Sequence, residues 1–184
     1  MTARGNATKA DDVFSRVVMS GSSHCEASQS NDVGPATSAV YLQREVRRAA
    51  MNYLARREHS RIELTRKLSK KFSEYTVIDT ALSRLEDDGL LSDKRFVEAY
   101  IGYRRRAGFG PIRIAAELRD KGIRDSLSSQ HIDAKATVWS EMAALARRKK
   151  FGGSPPESLE EKARQQKFLI YRGFQSEHFI RCFR

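Results

Sequence analysis

Apolar side chains return every three or four positions along most of this chain. The first such run is Leu42, Val46, Ala49, Ala50, Tyr53 and Leu54, the spacing of one helical face. Arg44, Arg47, Arg48, Arg56 and Arg57 occupy much of the rest. A second helix is expected on Leu64, Leu68 and Phe72, opened by Ser60 with Glu63 three residues on, the capping-box pattern. A third is expected over 74–88 on Ile78, Ala81, Leu82 and Leu85, ended by Gly89. Ser92 or Asp93 then caps a helix lined by Phe96, Val97, Tyr100, Ile101 and Tyr103. Pro111 suits the first position of the next helix, over 111–121, with Ile114, Ala115 and Leu118 inward. Gly122 sits where a left-handed C-terminal cap belongs, and Ile123 can fold back on the helix. A helix over 129–138 would turn Ile132 and Ala136 inward with Trp139, the sole tryptophan and a core residue by this pattern. From Val138 on, Met142, Leu145 and Ala146 are expected inward. The stretch 151–156 is a clear break, a helix follows over 157–171, and Ser176 caps a last short helix to Arg184. No segment alternates long enough to demand a strand, so the expected fold is all-α.

The pattern repeats. Leu118, Lys121, Gly122 and Ile123 have counterparts in Leu169, Arg172, Gly173 and Phe174, and weaker ones in Leu68, Lys71 and Phe72 without the glycine. The leucines stand roughly fifty residues apart, a period typical of repeat arrays. A basic stretch precedes each copy (Arg56-Arg57, Arg104 to Arg106, Arg147 to Lys150), a turn follows the basic stretch, and Ile78, Ile132 or Phe179 follows the copy. Three tandem three-helix units are therefore expected, over 41–91, 92–138 and 139–184. Residues 1–40, rich in Ser, Thr, Ala, Gly and Asn, are expected to form a disordered tail, with at most one transient turn at 12–19.

Charge narrows the function. The chain carries 34 Lys and Arg against 23 Asp and Glu, a net +11, which calls for an anionic partner. The first 40 residues are close to neutral, so the excess belongs to the repeats. Arg104, Arg105 and Arg106, beside the Gly108 to Pro111 turn and the helix N-terminus that carries Arg113, could pair bidentately with phosphates. Lys121 and the run Arg147, Arg148, Lys149 and Lys150 belong to the same candidate set. The competing explanation is a solvated helix face neutralised by Glu98 or Asp93. Lys70 and Lys71 end a short helix, where cations also complement its dipole. Tyr100, Tyr103, Phe109 and Tyr171 could stack on bases, although aromatics at helical spacing usually belong to a core.

Other chemistry finds little support. His178 and Cys182 share a helical face, but a structural zinc site normally takes four ligands; no metal and no cofactor are expected. Glu86, Asp87, Asp88 and Asp93 could gather a magnesium ion, yet they also read as a polar helix end and a cap. No phosphate loop or nucleophile elbow is present, and no enzyme is expected. Cys25 and Cys182 make no disulfide framework, which suits a reducing cytoplasm. No run of about 18 apolar residues offers a membrane span.

Arg57 to Leu68, Gly89 to Val97, Arg106 to Ile114 with Glu117 to Ile123, and Phe168 to Phe174 together resemble the RecX regulatory proteins in order and spacing. The resemblance runs from about Val46 to Phe183. It implies a bacterial cytoplasmic regulator of the RecA recombinase, acting in DNA repair and the SOS response. Such proteins mainly inhibit strand exchange, ATP hydrolysis and co-protease activity. The implied fold is an elongated, curved array of three-helix repeats able to lie in the groove of the RecA–DNA filament. The implied partner is that filament; single- or double-stranded DNA is the partner expected from the charge, and a monomer is the expected state. On this reading the contacts to filament or DNA fall to Arg104, Arg105, Arg106, Arg113, Lys121, Arg147, Arg148, Lys149 and Lys150. The first copy departs from the family in lacking the glycine, Ser92 stands where an acidic residue is frequent, and the tail has no counterpart. The alternative is a helical, sequence-nonspecific DNA-binding protein of the nucleoid type.

Overall fold

The computed structural model describes residues 35–183; residues 1–34 of the expected tail lie outside it. Among the described residues are nine α-helices and no strand. They are α1 (Pro35–Leu54), α2 (Arg61–Leu68), α3 (Tyr75–Asp87), α4 (Asp93–Arg106), α5 (Pro111–Asp120), α6 (Asp125–His131), α7 (Val138–Phe151), α8 (Leu159–Tyr171) and α9 (Ser176–Phe179), with a closing 3-10 turn at Ile180–Phe183.

Side-chain caps start three of these helices. Ser60, Ser92 and Ser158 accept from the backbone N–H groups of Glu63, Arg95 and Glu161. The box at Ser60 is only half made, because the Glu63 carboxylate turns to Arg57, His59 and Lys121 instead of the cap. Three expectations need correction. First, α1 reaches back to Pro35, ahead of Tyr41. Ser38 to Val40 are exposed, so that stretch adds nothing to the core and continues a helix already nucleated by the stripe. Second, the sixth helix is Asp125–His131, not 129–138. Asp133 breaks it: its carboxylate accepts from the Lys135 N–H at 3.0 Å, and its carbonyl accepts from the Trp139 indole at 2.7 Å. An aspartate that bonds its own backbone offers the chain a turn in place of a helix. Third, Gln175, not Ser176, caps α9.

Two cores result. Val46, Ala50, Leu64, Leu68, Ile78, Leu82 and Leu85 enclose the first repeat's own core. The second and third repeats share one, in which Phe96, Ile114, Leu118, Trp139, Leu169 and Phe174 meet. Leu145 is not part of it; it stands 53% exposed, while Ala143, Ala146 and Arg147 take the buried face of α7. Tyr103, expected on the apolar face of α4, is exposed as well.

The repeats interlock by one device used twice. The start of one repeat's second helix presses against the end of the next repeat's second helix. At the first joint Ser60 Oγ donates to the Lys121 carbonyl at 2.8 Å, and a Cβ on Gly122 would stand 2.8 Å from Ile62 Cγ1. At the second joint the N–H groups of Gly110 and Ile112 donate to the carbonyls of Arg172 and Gly173 at 2.8 and 3.2 Å. A Cβ on Gly173 would lie 2.5 Å from the Arg113 nitrogen. Gly122 and Gly173 also have φ of +79° and +88°, where side-chain-bearing residues are strained. The first copy has no such glycine: Phe72 stands in its place, half-buried against the first repeat's core.

Candidate functional site: a basic cleft between the second and third repeats

Residues at the end of α4 face the C-terminal half of α7 and the end of α8 across a cleft of about 660 Å³. Arg105, Arg106, Lys149, Lys150 and Arg172 line it, over a floor that includes Met142, Leu145, Ala146 and Phe168. No carboxylate is among the lining residues. Several cations elsewhere are answered by acids, among them Arg57 by Glu63 at 2.9 Å, Arg61 by Asp79 at 2.5 Å, Arg95 by Glu58 at 2.9 Å and Arg119 by Asp125 at 3.1 Å. The five cleft cations make no ion pair among the described residues. Arg105 only approaches the Trp139 ring, at 5.4 Å, and Arg172 donates to the Ala107 carbonyl at 2.9 Å. Like charges gathered without counter-charge repel one another and favour a bound anion.

The nine residues singled out in the sequence divide into groups. Arg105, Arg106, Lys149 and Lys150 come together in the cleft. Arg148 is exposed but does not line it. Arg104 turns away and pairs with Glu117, its guanidinium 3.6 Å above the Phe109 ring. Arg113 donates to the same Glu117 at 3.1 Å and to the Tyr171 carbonyl at 3.3 Å. Lys121 lies 3.5 Å from Glu63. Arg147 is buried, donating to Gln165 Oε1 at 2.8 Å and to the Ser154 carbonyl at 2.6 Å, which ties the loop after α7 to α8. Arg104, Arg113, Lys121 and Arg147 therefore frame the structure. Neither Glu98 nor Asp93 neutralises the Arg104 cluster; the acid that meets it is Glu117.

Two carboxylates organise the joints. Burial pushes the Glu63 carboxyl up, but bonds from Arg57 and His59 and the charge of Lys121 outweigh it and bring it to about 2. Burial likewise opposes ionisation of Glu117, and Arg104, Arg113 and Tyr100 hold it below the usual carboxylate range. Tyr100, half-buried and donating to Glu117 at 3.0 Å, has its phenol raised to about 12. Burial lowers His59 despite its bond to Glu63.

Phe109 is no open stacking platform, since Arg104, Arg113 and Arg172 all stand over its ring. Tyr103 and Tyr171 are exposed. The acidic residues once grouped in sequence scatter: Glu86 pairs with Arg61, Asp88 with Arg47, and Asp93 accepts from the Arg61 N–H. Both nitrogens of His178 are occupied, by the Gln175 N–H and the Ala134 carbonyl. No described helix is long and apolar enough to cross a membrane. Arg172 is the cleft residue that sequence reasoning missed. The signal lay in the repeat, where it aligns with Lys121.

These features define a tandem three-helix repeat protein with an uncompensated basic cleft. The family models for the first, second and third three-helix domains of RecX match residues 47–85, 92–131 and 140–182. A protein of Pseudomonas savastanoi pv. phaseolicola named regulatory protein RecX is 44% identical over 129 residues, covering 70% of this chain and 83% of that one. Its namesake from Ectopseudomonas mendocina is 43% identical over 139 residues, covering 76% and 93%. This chain belongs to the RecX family. The fold agrees with a crystal structure of RecX from Lactobacillus salivarius, at a TM-score of 0.64 and 20% identity over 76% of this chain and 92% of the other.

Proposed function

We propose that this chain binds the RecA recombinase and its nucleoprotein filament and modulates them, mainly by inhibition, during DNA repair and the SOS response. What supports this is a basic cleft without counter-charge on a member of a regulatory family. Arg105, Arg106, Lys149, Lys150 and Arg172 supply the contact to the anionic surface of the filament, and Arg148 adds to the local field. Arg104, Arg113, Lys121 and Arg147 hold the helices that carry these cations. Occupying the filament blocks access for a second DNA or a co-protease client. The action is binding, with no reaction of its own, and its setting is the cytoplasm.

The test is single-stranded-DNA-dependent ATP hydrolysis by purified RecA with this protein added far below stoichiometry. Strong inhibition at that ratio is the expected result. Inhibition only when the protein saturates the DNA means competition for phosphates, and the nonspecific DNA-binding alternative then replaces this one. Such competition also falls steeply with salt, as counterion release requires.

A further inference from the structure

The floor of the cleft is aliphatic where a nucleic-acid site would offer stacking surfaces. Leu145 stands 53% exposed beside Met142, off the buried stripe of α7, and packs into neither core. The aromatic side chain in the cleft is Phe168. Arg172 stands 5.0 Å from its centroid, and Phe151 meets it edge to face at 5.3 Å. Base binding needs an open π-face, and this ring does not present one. Tyr171 is exposed, but it lies outside the cleft lining and has Arg113 5.0 Å from its ring. An apolar floor beneath a rim of cations fits a ligand that brings carboxylates and one apolar group together.

We propose that this cleft takes an acidic protein segment carrying one large apolar side chain. The carboxylates sit on Arg105, Arg106, Lys149 and Lys150, and the apolar group covers Leu145 and Met142. The inference rests on the cleft being the working surface, and it names the occupant as protein rather than DNA. Charge complementarity sets the sign of the partner, and the exposed leucine sets its anchor.

The experiment is fluorescence anisotropy with the full chain and three labelled probes. One is a short peptide of glutamate and aspartate around a single phenylalanine. The second has alanine in place of the phenylalanine, and the third is an oligothymidylate. The phenylalanine peptide is expected to bind about tenfold tighter than the alanine peptide, the worth of burying part of one aromatic side chain. Leu145→Ser, at an exposed position, should erase most of that preference, and Lys149→Glu with Lys150→Glu should abolish binding of both peptides. Equal binding of the two peptides, or an oligothymidylate that displaces them while Leu145→Ser changes nothing, overturns the inference. Recombinase inhibition measured in parallel separates the two levels. Loss of inhibition in the Lys149/Lys150 variant without any peptide binding leaves the filament reading standing and removes this one. Peptide binding by a protein that never inhibits does the reverse.

Discussion

Gly173→Ala should damage this protein far more than Gly108→Ala, although both glycines have positive φ, +88° and +77°. The backbone strain is comparable, about 1 kcal/mol for placing alanine in the left-handed region. The surroundings differ. A methyl on Gly108 would rest 3.6 Å from Ala146 Cβ, an ordinary contact. A methyl on Gly173 would stand 2.5 Å from the Arg113 nitrogen, so α8 must withdraw from α5. Withdrawal breaks the bonds from Gly110 and Ile112 N–H groups to Arg172 and Gly173 carbonyls. Both donors belong to the first turn of α5, which has no internal partner for them. Two such bonds at about 1 kcal/mol each bring the total to about 3 kcal/mol. At about 2–4 °C per kcal/mol, Gly173→Ala should lower Tm by about 6–12 °C and Gly108→Ala by about 2–4 °C. Thermal unfolding followed by far-UV circular dichroism decides it. Equal drops for the two variants would refute the interlocking joint as the origin of the glycine.

Because the first repeat has its own core, it should unfold apart from the other two. In urea, Trp139 fluorescence, which reports on the shared core, should show a transition that does not coincide with circular dichroism; one common transition would contradict this. Acid should destabilise the protein through the first joint. His59 is held neutral by burial, so its contribution is full above 6.5 and is lost as pH falls below that value. Glu63, lowered from 4.5 to about 2, adds a second loss as pH drops from 4.5 toward 2, and Glu63→Gln should flatten the Tm profile in that lower window. Arg147→Met should cost about 2–3 kcal/mol, since the neutral acceptors Gln165 Oε1 and the Ser154 carbonyl lose their donor. Below its lowered Tm the variant should still inhibit RecA, whereas selective loss of inhibition with unchanged Tm would place Arg147 at the binding surface.

Much of the fold was legible from periodicity, because most helices bury one clean stripe and three of them start at serine caps. Ser60 and Ser92 were readable for that reason, as were the Gly122 and Gly173 stops. The sixth helix was not, since its sequence is rich in serine and its apolar neighbours Ile132 and Ala136 flank a turn set by Asp133. The candidate site was legible as charge but not as geometry. Composition cannot separate Arg105 and Arg106, which face the cleft, from Arg104, which meets an acid on the following helix. Arg147 did leave a trace: it falls four residues after Ala143, on the buried face, while Leu145 falls between stripes. Arg172 could be found only by aligning the repeats, because its role depends on a neighbour 65 residues earlier, at Ala107.

The claim that local cations in the cleft engage the recombinase filament is tested most directly by charge-matched reversals. Arg106→Glu with Lys149→Glu changes the cleft, and Lys70→Glu with Lys71→Glu makes the same charge change on exposed positions of the first repeat. Inhibition of RecA's single-stranded-DNA-dependent ATP hydrolysis is measured for both variants and for the wild type at equal substoichiometric concentration. The cleft variant should lose inhibition while the first-repeat variant keeps it. Equal loss in both would mean that total charge, and not the cleft, carries the activity.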